Sequence, residues 1–363
     1  KQTKQKFDET NQELKQTKIK LEQTKDDLGK SKQYAQSIFV GGCDDCNQLG
    51  EKPNNESKNR IHPAAKLSFD PSSRLSYSIY CCHSVIVTSS GSLMGVGYNF
   101  DGRISATLQK TVIDHFTEFC IKDGSGRQLD PVSAACCLFG TLYMFRKSDG
   151  MGKQLVLCDE DINGGTPVFL DIGNSEPVSL FSGRYHSSAI SDRGEVIFIN
   201  RSSVKNSPNS RIAAVSLPNG EKASSVACCD SSVIVLSSNG RVFESPVTKG
   251  SSALKFSEVF DLSGQEIVSV SGTHDHFLAV SKEGRVFCRG SNDCGQLGLG
   301  EGIKSVSSFT EISSLGGYKI RSASAGYYHS LFVTGEGKVL SCGWNCYGEL
   351  LLSSVPRDET VYT

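Results

Sequence analysis

Residues 271–300, SGTHDHFLAVSKEGRVFCRGSNDCGQLGLG, have a close relative at 324–352, SAGYYHSLFVTGEGKVLSCGWNCYGELLL. Gly284 pairs with Gly337, Gly290 with Gly343, Asn292 with Asn345, Gly295 with Gly348 and Leu297 with Leu350. Residues 81–104 fit the same template through His83, Gly91, Gly97, Asn99 and Gly102, while 182–200 and 228–245 supply its front half. A sixth copy at 131–158 carries a longer hairpin turn, and a partial copy opens at 38–52 with IFVGGCDDCNQLGEK. Recurrence every 45–55 residues or so makes each copy one small block that cannot bury its faces alone, so the blocks must stack around a ring. That requirement restricts the fold more than any other feature of the chain.

Within a copy the physics is legible. A polar residue stands eight positions before a turn glycine in five copies: His83 before Gly91, His186 before Gly194, Ser232 before Gly240, His276 before Gly284 and His329 before Gly337. HSLFVT alternates apolar residues into a sheet, the glycine permits a tight hairpin, and KVLSCG returns. The predicted fold is all-β, a propeller or a similar array of short antiparallel sheets. The stretch GSNDCGQLGLG has the GxxxxG spacing of a phosphate-binding loop, but Gln296 and Leu297 stand where that loop needs Lys and Ser or Thr. Its glycines therefore serve turn geometry, with Asn292 bonding local backbone and Leu297 anchored under the next blade. No cofactor is implied.

Residues 1–35 differ from the rest. Phe7, Leu14, Leu21 and Leu28 repeat at seven-residue spacing in a stretch without Pro, which predicts a helix with one apolar seam, the end of a coiled coil. Two parts follow: a helical segment over 1–35, through which the chain could self-associate, and a propeller over 36–363. Net charge is −1 and no run of 18 apolar residues occurs, so neither broad nucleic-acid attraction nor a membrane span is expected. Fourteen cysteines without a leader sequence point to reduced thiols inside the cell, in the cytoplasm rather than the nucleus.

The pattern HS…T/S…G.V…G.N..GQLG resembles the repeats of the regulator of chromosome condensation family over about 38–352. The resemblance is strong in the last two copies and weak at 131–158 and 228–245, which lack the exit GxNxxGxLG. It implies a seven-bladed β-propeller whose chain ends share one blade. Seven returning strands accompany only six of the HS type, and the chain opens on Lys1, so a piece of a longer protein is expected, with closing strands after Thr363. The family also implies activities: nucleotide exchange on a small GTPase, chromatin association, or docking alone. Exchange residues are not encoded in the repeat motif. The expectation drawn here is a non-catalytic scaffold for a protein partner, with exchange on a small GTPase second and chromatin binding third.

Other constellations point less far. Histidines at one repeat slot belong on different blades, where they bond a neighbouring turn rather than gather into a catalytic group. Cys43 and Cys46 with Cys342 and Cys346 are a conceivable zinc set across the ring closure, but Cys342 and Cys346 have the wrong offset within their repeat, and the first pair occupies the ordinary exit turn. The doublets Cys136–Cys137 and Cys228–Cys229 stand where other copies have small residues, Gly183 and Gly326. The hairpin RKSDGMGK, with Arg146, Lys147, Asp149 and Lys153, is a candidate partner loop, as is the polar stretch 200–211.

Overall fold

The computed structural model describes the short strands at 39–40 and 62–63 and residues 76–350, apart from 81–82, 89, 148, 163–165, 208–210, 249–253 and 346–349. The predicted helix over 1–33 and most of the copy at 38–52 lie outside these residues. Strands β1 (Phe39–Val40) and β2 (His62–Pro63) form an antiparallel pair. Six blades follow in chain order. The first holds β3 (Ser76–Tyr80), β4 (His83–Val87), β5 (Leu93–Tyr98) and β6 (Val112–Phe119). The second holds β7 (Asp130–Cys136), β8 (Gly140–Arg146), β9 (Lys153–Asp159) and β10 (Val168–Leu170). The third holds β11 (Pro177–Ser182), β12 (His186–Ser191), β13 (Val196–Asn200) and β14 (Ala214–Val215), with the short helix α1 (Arg201–Asn206) after β13. The fourth holds β15 (Ala223–Cys228), β16 (Ser232–Ser237), β17 (Val242–Pro246) and β18 (Ser257–Glu258). The fifth holds β19 (Ile267–Gly272), β20 (His276–Ser281), β21 (Val286–Ser291) and β22 (Ser305–Glu311). The sixth has three described strands, β23 (Ile320–Ala325), β24 (His329–Thr334) and β25 (Val339–Gly343).

Every blade is an antiparallel meander in sequence order, and consecutive blades touch through their first strands, which therefore line the axis. Two glycine positions fix the turns. The second and third strands join at Gly91, Gly194, Gly240, Gly284 and Gly337, each at a φ between 77° and 88°, where residues with a Cβ are strained. The other position faces the repeat histidine: His83 opposes Gly97, His276 opposes Gly290 and His329 opposes Gly343. A Cβ on Gly290 would lie 2.1 Å from the carbonyl oxygen of Asp275, so the third strand can pass that close to the preceding turn only as glycine. Blades two to four carry Asp159, Asn200 and Pro246 opposite this slot, and these are the blades without the exit motif.

The apolar interior is divided into layers between blades. Val85, Val87 and Leu93 of the first blade pack with Tyr143, Phe145 and Val156 of the second, and four similar layers follow. Ile104 and Leu297, each five residues past the exit asparagine, are fully buried in the first and fifth layers. Their backbone amides donate to Asn99 Oδ1 at 2.9 Å and Asn292 Oδ1 at 2.8 Å; Leu350 does the same to Asn345 at 3.1 Å. The asparagine thus holds the turn whose apolar residue seals one blade to the next. Thiols fill the tight inner positions: burial pushes Cys136 and Cys228 up to about 12, so both are protonated packing groups.

Candidate functional site

The repeat histidines spread round the ring, and two of them join blades. Thr141 Oγ1 donates to the exit-turn carbonyl of Arg103 at 3.0 Å, which leaves its oxygen free to accept from His83 Nε2 at 2.9 Å. Ser330 Oγ donates to Gln296 O at 2.7 Å and accepts from His276 Nε2 at 3.0 Å. Each latch needs a histidine in one blade and a hydroxyl one residue past the same slot in the next. The other interfaces are incomplete: His186 has Val233 in place of the hydroxyl in the fourth blade, and between the fourth and fifth blades both parts are replaced, by Ser232 and Phe277. Burial holds His186 down at about 4, and burial with the nearby His276 does the same to His329. The four rings thus stand on four different blades.

The two rims of the ring differ in chemistry. On the rim of the glycine hairpins, charges pair among themselves: Arg146 with Asp130 at 2.6 Å, Lys153 with Glu176 at 3.7 Å, Lys282 with Glu266 at 2.8 Å and Arg285 with Glu311 at 3.3 Å. Arg241 similarly joins Glu221 and Glu258. The basic loop at 146–153 lies here. Lys153 also donates to the Pro177 carbonyl at 3.4 Å, and Asp149 Oδ1 accepts from the Met151 amide at 2.8 Å, so of its charged side chains Lys147 alone has no hydrogen bond or ion pair among the described residues.

The opposite rim is built by the turns that join each first strand to its second. Those turns bond one another across the ring: Leu138 N donates to Arg184 O at 3.0 Å, Arg184 N to Thr273 O at 3.3 Å and Asp230 N to His274 O at 2.9 Å. Their side chains converge. Arg184 of the third blade lies over Tyr185 at 4.5 Å and over Tyr327 of the sixth at 4.9 Å, while its Nη1 pairs with Asp230 at 3.0 Å. His274 stacks on Tyr327 at 4.1 Å, Tyr327 meets Tyr328 edge-on at 4.4 Å, and Tyr328 leads to Trp344 at 6.3 Å. On the other side Tyr185 stacks on Phe139, and Arg201, pairing with Asp159 at 2.6 Å and Asp161 at 2.5 Å, covers Phe139 at 4.1 Å. Burial pushes Tyr327 up to about 12, so it stays a neutral phenol against the guanidinium. Trp344 stands 38% exposed at the edge.

Such a surface suits recognition: Arg, Tyr and Trp are the residues on which interface energies concentrate. The sequence holds a signal for it, since the two residues before the histidine slot (Arg184 and Tyr185, Asp230 and Ser231, His274 and Asp275, Tyr327 and Tyr328) vary while the slot recurs. Of the candidate zinc set, Cys43, Cys46 and Cys346 lie outside the described residues. Cys342 is buried, its thiol pushed up to about 12 and donating to Gln296 O at 3.5 Å. Among the described residues no group of three or more His, Cys, Asp or Glu is placed to hold a metal ion. Gly348 also falls outside the described set.

Comparison with known proteins places these features. The family model described as regulator of chromosome condensation (RCC1) repeat matches residues 267–296 and 320–349, and a second model of the same description matches 283–333. The chain is 40% identical over 92 residues to the human "Probable E3 ubiquitin-protein ligase HERC4", covering 25% of this chain and 9% of that protein. It is 38% identical over 91 residues to the "Secretion-regulating guanine nucleotide exchange factor" of Bos taurus, 25% of this chain and 19% of the relative. The chain thus spans less than a fifth of the length of these curated relatives. Among solved structures it resembles yeast RCC1 (Prp20), in a crystal structure bound to Kap60, with TM-score 0.71 at 15% identity over 90% of this chain and 83% of the other. The fold is a β-propeller of the RCC1 type.

Proposed function

We propose that this chain, a β-propeller carrying RCC1 repeats, is a docking module that seats a protein partner on the rim of Arg184, Tyr185, Tyr327, Tyr328 and Trp344. The observation that carries this is the aromatic–guanidinium assembly itself. It gathers side chains from four blades around the axis, and Arg184 is held between two rings and a carboxylate, so little side-chain freedom is left to lose on binding. On the opposite rim the cations Arg146, Lys153, Lys282 and Arg285 are met by acids, with no comparable cluster of rings around them among the described residues, so it favours docking less.

The test starts with capture of partners by the intact chain. Trp344→Ala and Tyr328→Ala are then expected to weaken retention of the captured protein by about 10- to 100-fold, the range of an interface anchor. Arg146→Ala with Lys147→Ala is expected to leave it within about twofold, as for a peripheral contact. The reverse pattern would move the site to the hairpin rim.

A second reading, nucleotide exchange on a small GTPase, is favoured by the similarity to the secretion-regulating exchange factor over 91 residues. Small GTPases loaded with fluorescent GDP separate the two: accelerated release from any of them supports exchange, and unchanged release across the panel supports docking alone.

A further inference from the structure

A cleft of about 300 Å³ opens between the fourth and fifth blades, among Ser232, Glu244, Asp275, Phe277, Arg289 and Gly290. Its origin is in the repeat. At this slot four blades carry histidine, and the fourth carries Ser232 instead; the latching hydroxyl of the next blade is replaced by Phe277. Ser232 brings no ring to this slot, and the cleft that it lines is bordered by Asp275, which His274 meets at 3.4 Å.

The walls select the sign of a guest. Arg289 directs both Nη groups to Glu244, at 2.9 and 2.5 Å, and lies over Phe309 at 4.9 Å. Its charge is committed, so an anion finds no free cation here. Among the described residues Asp275 pairs with no Lys or Arg: its side chain meets Gln296 Nε2 at 3.4 Å, His274 Nδ1 at 3.4 Å and His276 Nδ1 at 3.7 Å. Burial raises the Asp275 carboxyl, but the polar contacts of His276, His274 and Gln296 outweigh it and hold the group below its ordinary value, hence ionised at neutral pH. Asp230 and Asp293 stand nearby on the same rim, with Arg184 as the other cation. Within the cleft itself two carboxylates, Glu244 and Asp275, face one guanidinium, Arg289.

We propose that this cleft is a subsite for an arginine side chain of a docked polypeptide. A planar guanidinium with five donors matches a cavity whose free acceptors are carboxylate and serine oxygens better than a point-charged ammonium does. The proposal rests on the docking reading for its biological partner, but the subsite can be probed without that partner.

The probe is a fluorescein-labelled decapeptide of Gly and Ser with two central arginines, compared by polarisation with its lysine and glutamate counterparts on the full chain. The arginine peptide is expected to bind at least fivefold more tightly than the lysine peptide, and the glutamate peptide not at all. Ser232→His, which installs the residue of the sister repeats and fills the cleft, is expected to weaken the arginine peptide at least tenfold. His186 shows that an imidazole is accommodated at this slot opposite an apolar neighbour, Val233. Asp275→Asn is the second variant, expected to weaken binding about fivefold, and decides the matter should Ser232→His fail to fold. Equal binding of arginine and glutamate peptides, or unchanged binding in a folded variant of either kind, overturns the subsite. If peptides fail while Trp344→Ala still releases the captured partner, only the subsite falls; if they bind while Trp344→Ala changes nothing, the docking reading falls instead.

Discussion

Asn99→Ala is expected to destabilise the propeller by about 4 kcal/mol, seen as a lower urea midpoint with an unchanged slope. The Asn99 side chain is buried at the exit turn of the first blade, 3% exposed. Its Oδ1 accepts from the amides of Ile104 and Ser105 at 2.9 and 3.0 Å, and its Nδ2 donates to the carbonyls of Ser105 and Leu108 at 3.0 and 2.7 Å. Alanine leaves these backbone groups without that partner, those of Ile104 and Ser105 fully buried, and each such group costs up to about 1–3 kcal/mol, with relaxation and water at the outer part of the turn recovering some. The turn also holds Ile104 against Tyr143, whose hydroxyl donates to the Ile104 carbonyl at 2.7 Å. Asn99→Asp keeps the acceptor but turns the donor into a second acceptor facing those carbonyls, so it should cost no less. Asn292, with one bond to the Leu297 amide and one to the Ile303 carbonyl, should cost about half as much as Asn99. A loss below about 1 kcal/mol for Asn99→Ala would mean that the exit turn does not hold the blades together.

Acid should loosen the same ring through two histidines. His186 and His329 lie near 4 in the folded protein against an ordinary value of 6.5. A depressed histidine means that the unfolded chain binds protons first. The contribution to stability is therefore complete above about pH 6.5, declines as pH falls toward about 4, and is level below that. The full shifts correspond to about 3 kcal/mol apiece, and because both residues are only partly buried we expect about 2 from each and about 4 together. Urea midpoints at pH 7, 5.5 and 4 measure it. His186→Ser with His329→Ser, the residue that the fourth repeat carries at this slot, should flatten the decline. An equally steep loss in the double variant would assign the acid sensitivity to carboxylates instead.

What the sequence discloses and what it conceals follow one rule. His83, His276, Asn99, Asn292 and Leu297 recur, and recurrence alone marks them as parts of the unit, because each blade needs the same turn and the same seal. The converging rim does not recur. Arg184, Asp230, His274 and Tyr327 are different residues at one slot, and only ring closure brings the third blade's arginine over the sixth blade's tyrosine. The missing histidine at Ser232 is visible in the alignment of repeats, yet the cleft depends as well on Phe277, which belongs to the next copy. The basic ends of the 146–153 hairpin are equally plain in the sequence. Their acids, Asp130 and Glu176, precede and follow the loop at a distance that no local pattern connects.

The division of the interior into five separate layers has a consequence for how damage spreads. No side chain of the first layer shares a core with those of the fourth or fifth. Perturbations at distant blades should then sum rather than compound, as in a one-dimensional array of nearest-neighbour contacts. A variant at Ser232 and a variant at Asn99 are in this sense independent experiments on one molecule. The same independence lets individual repeats diverge, so that one interface can lose its latch and open a cleft while its neighbours keep theirs.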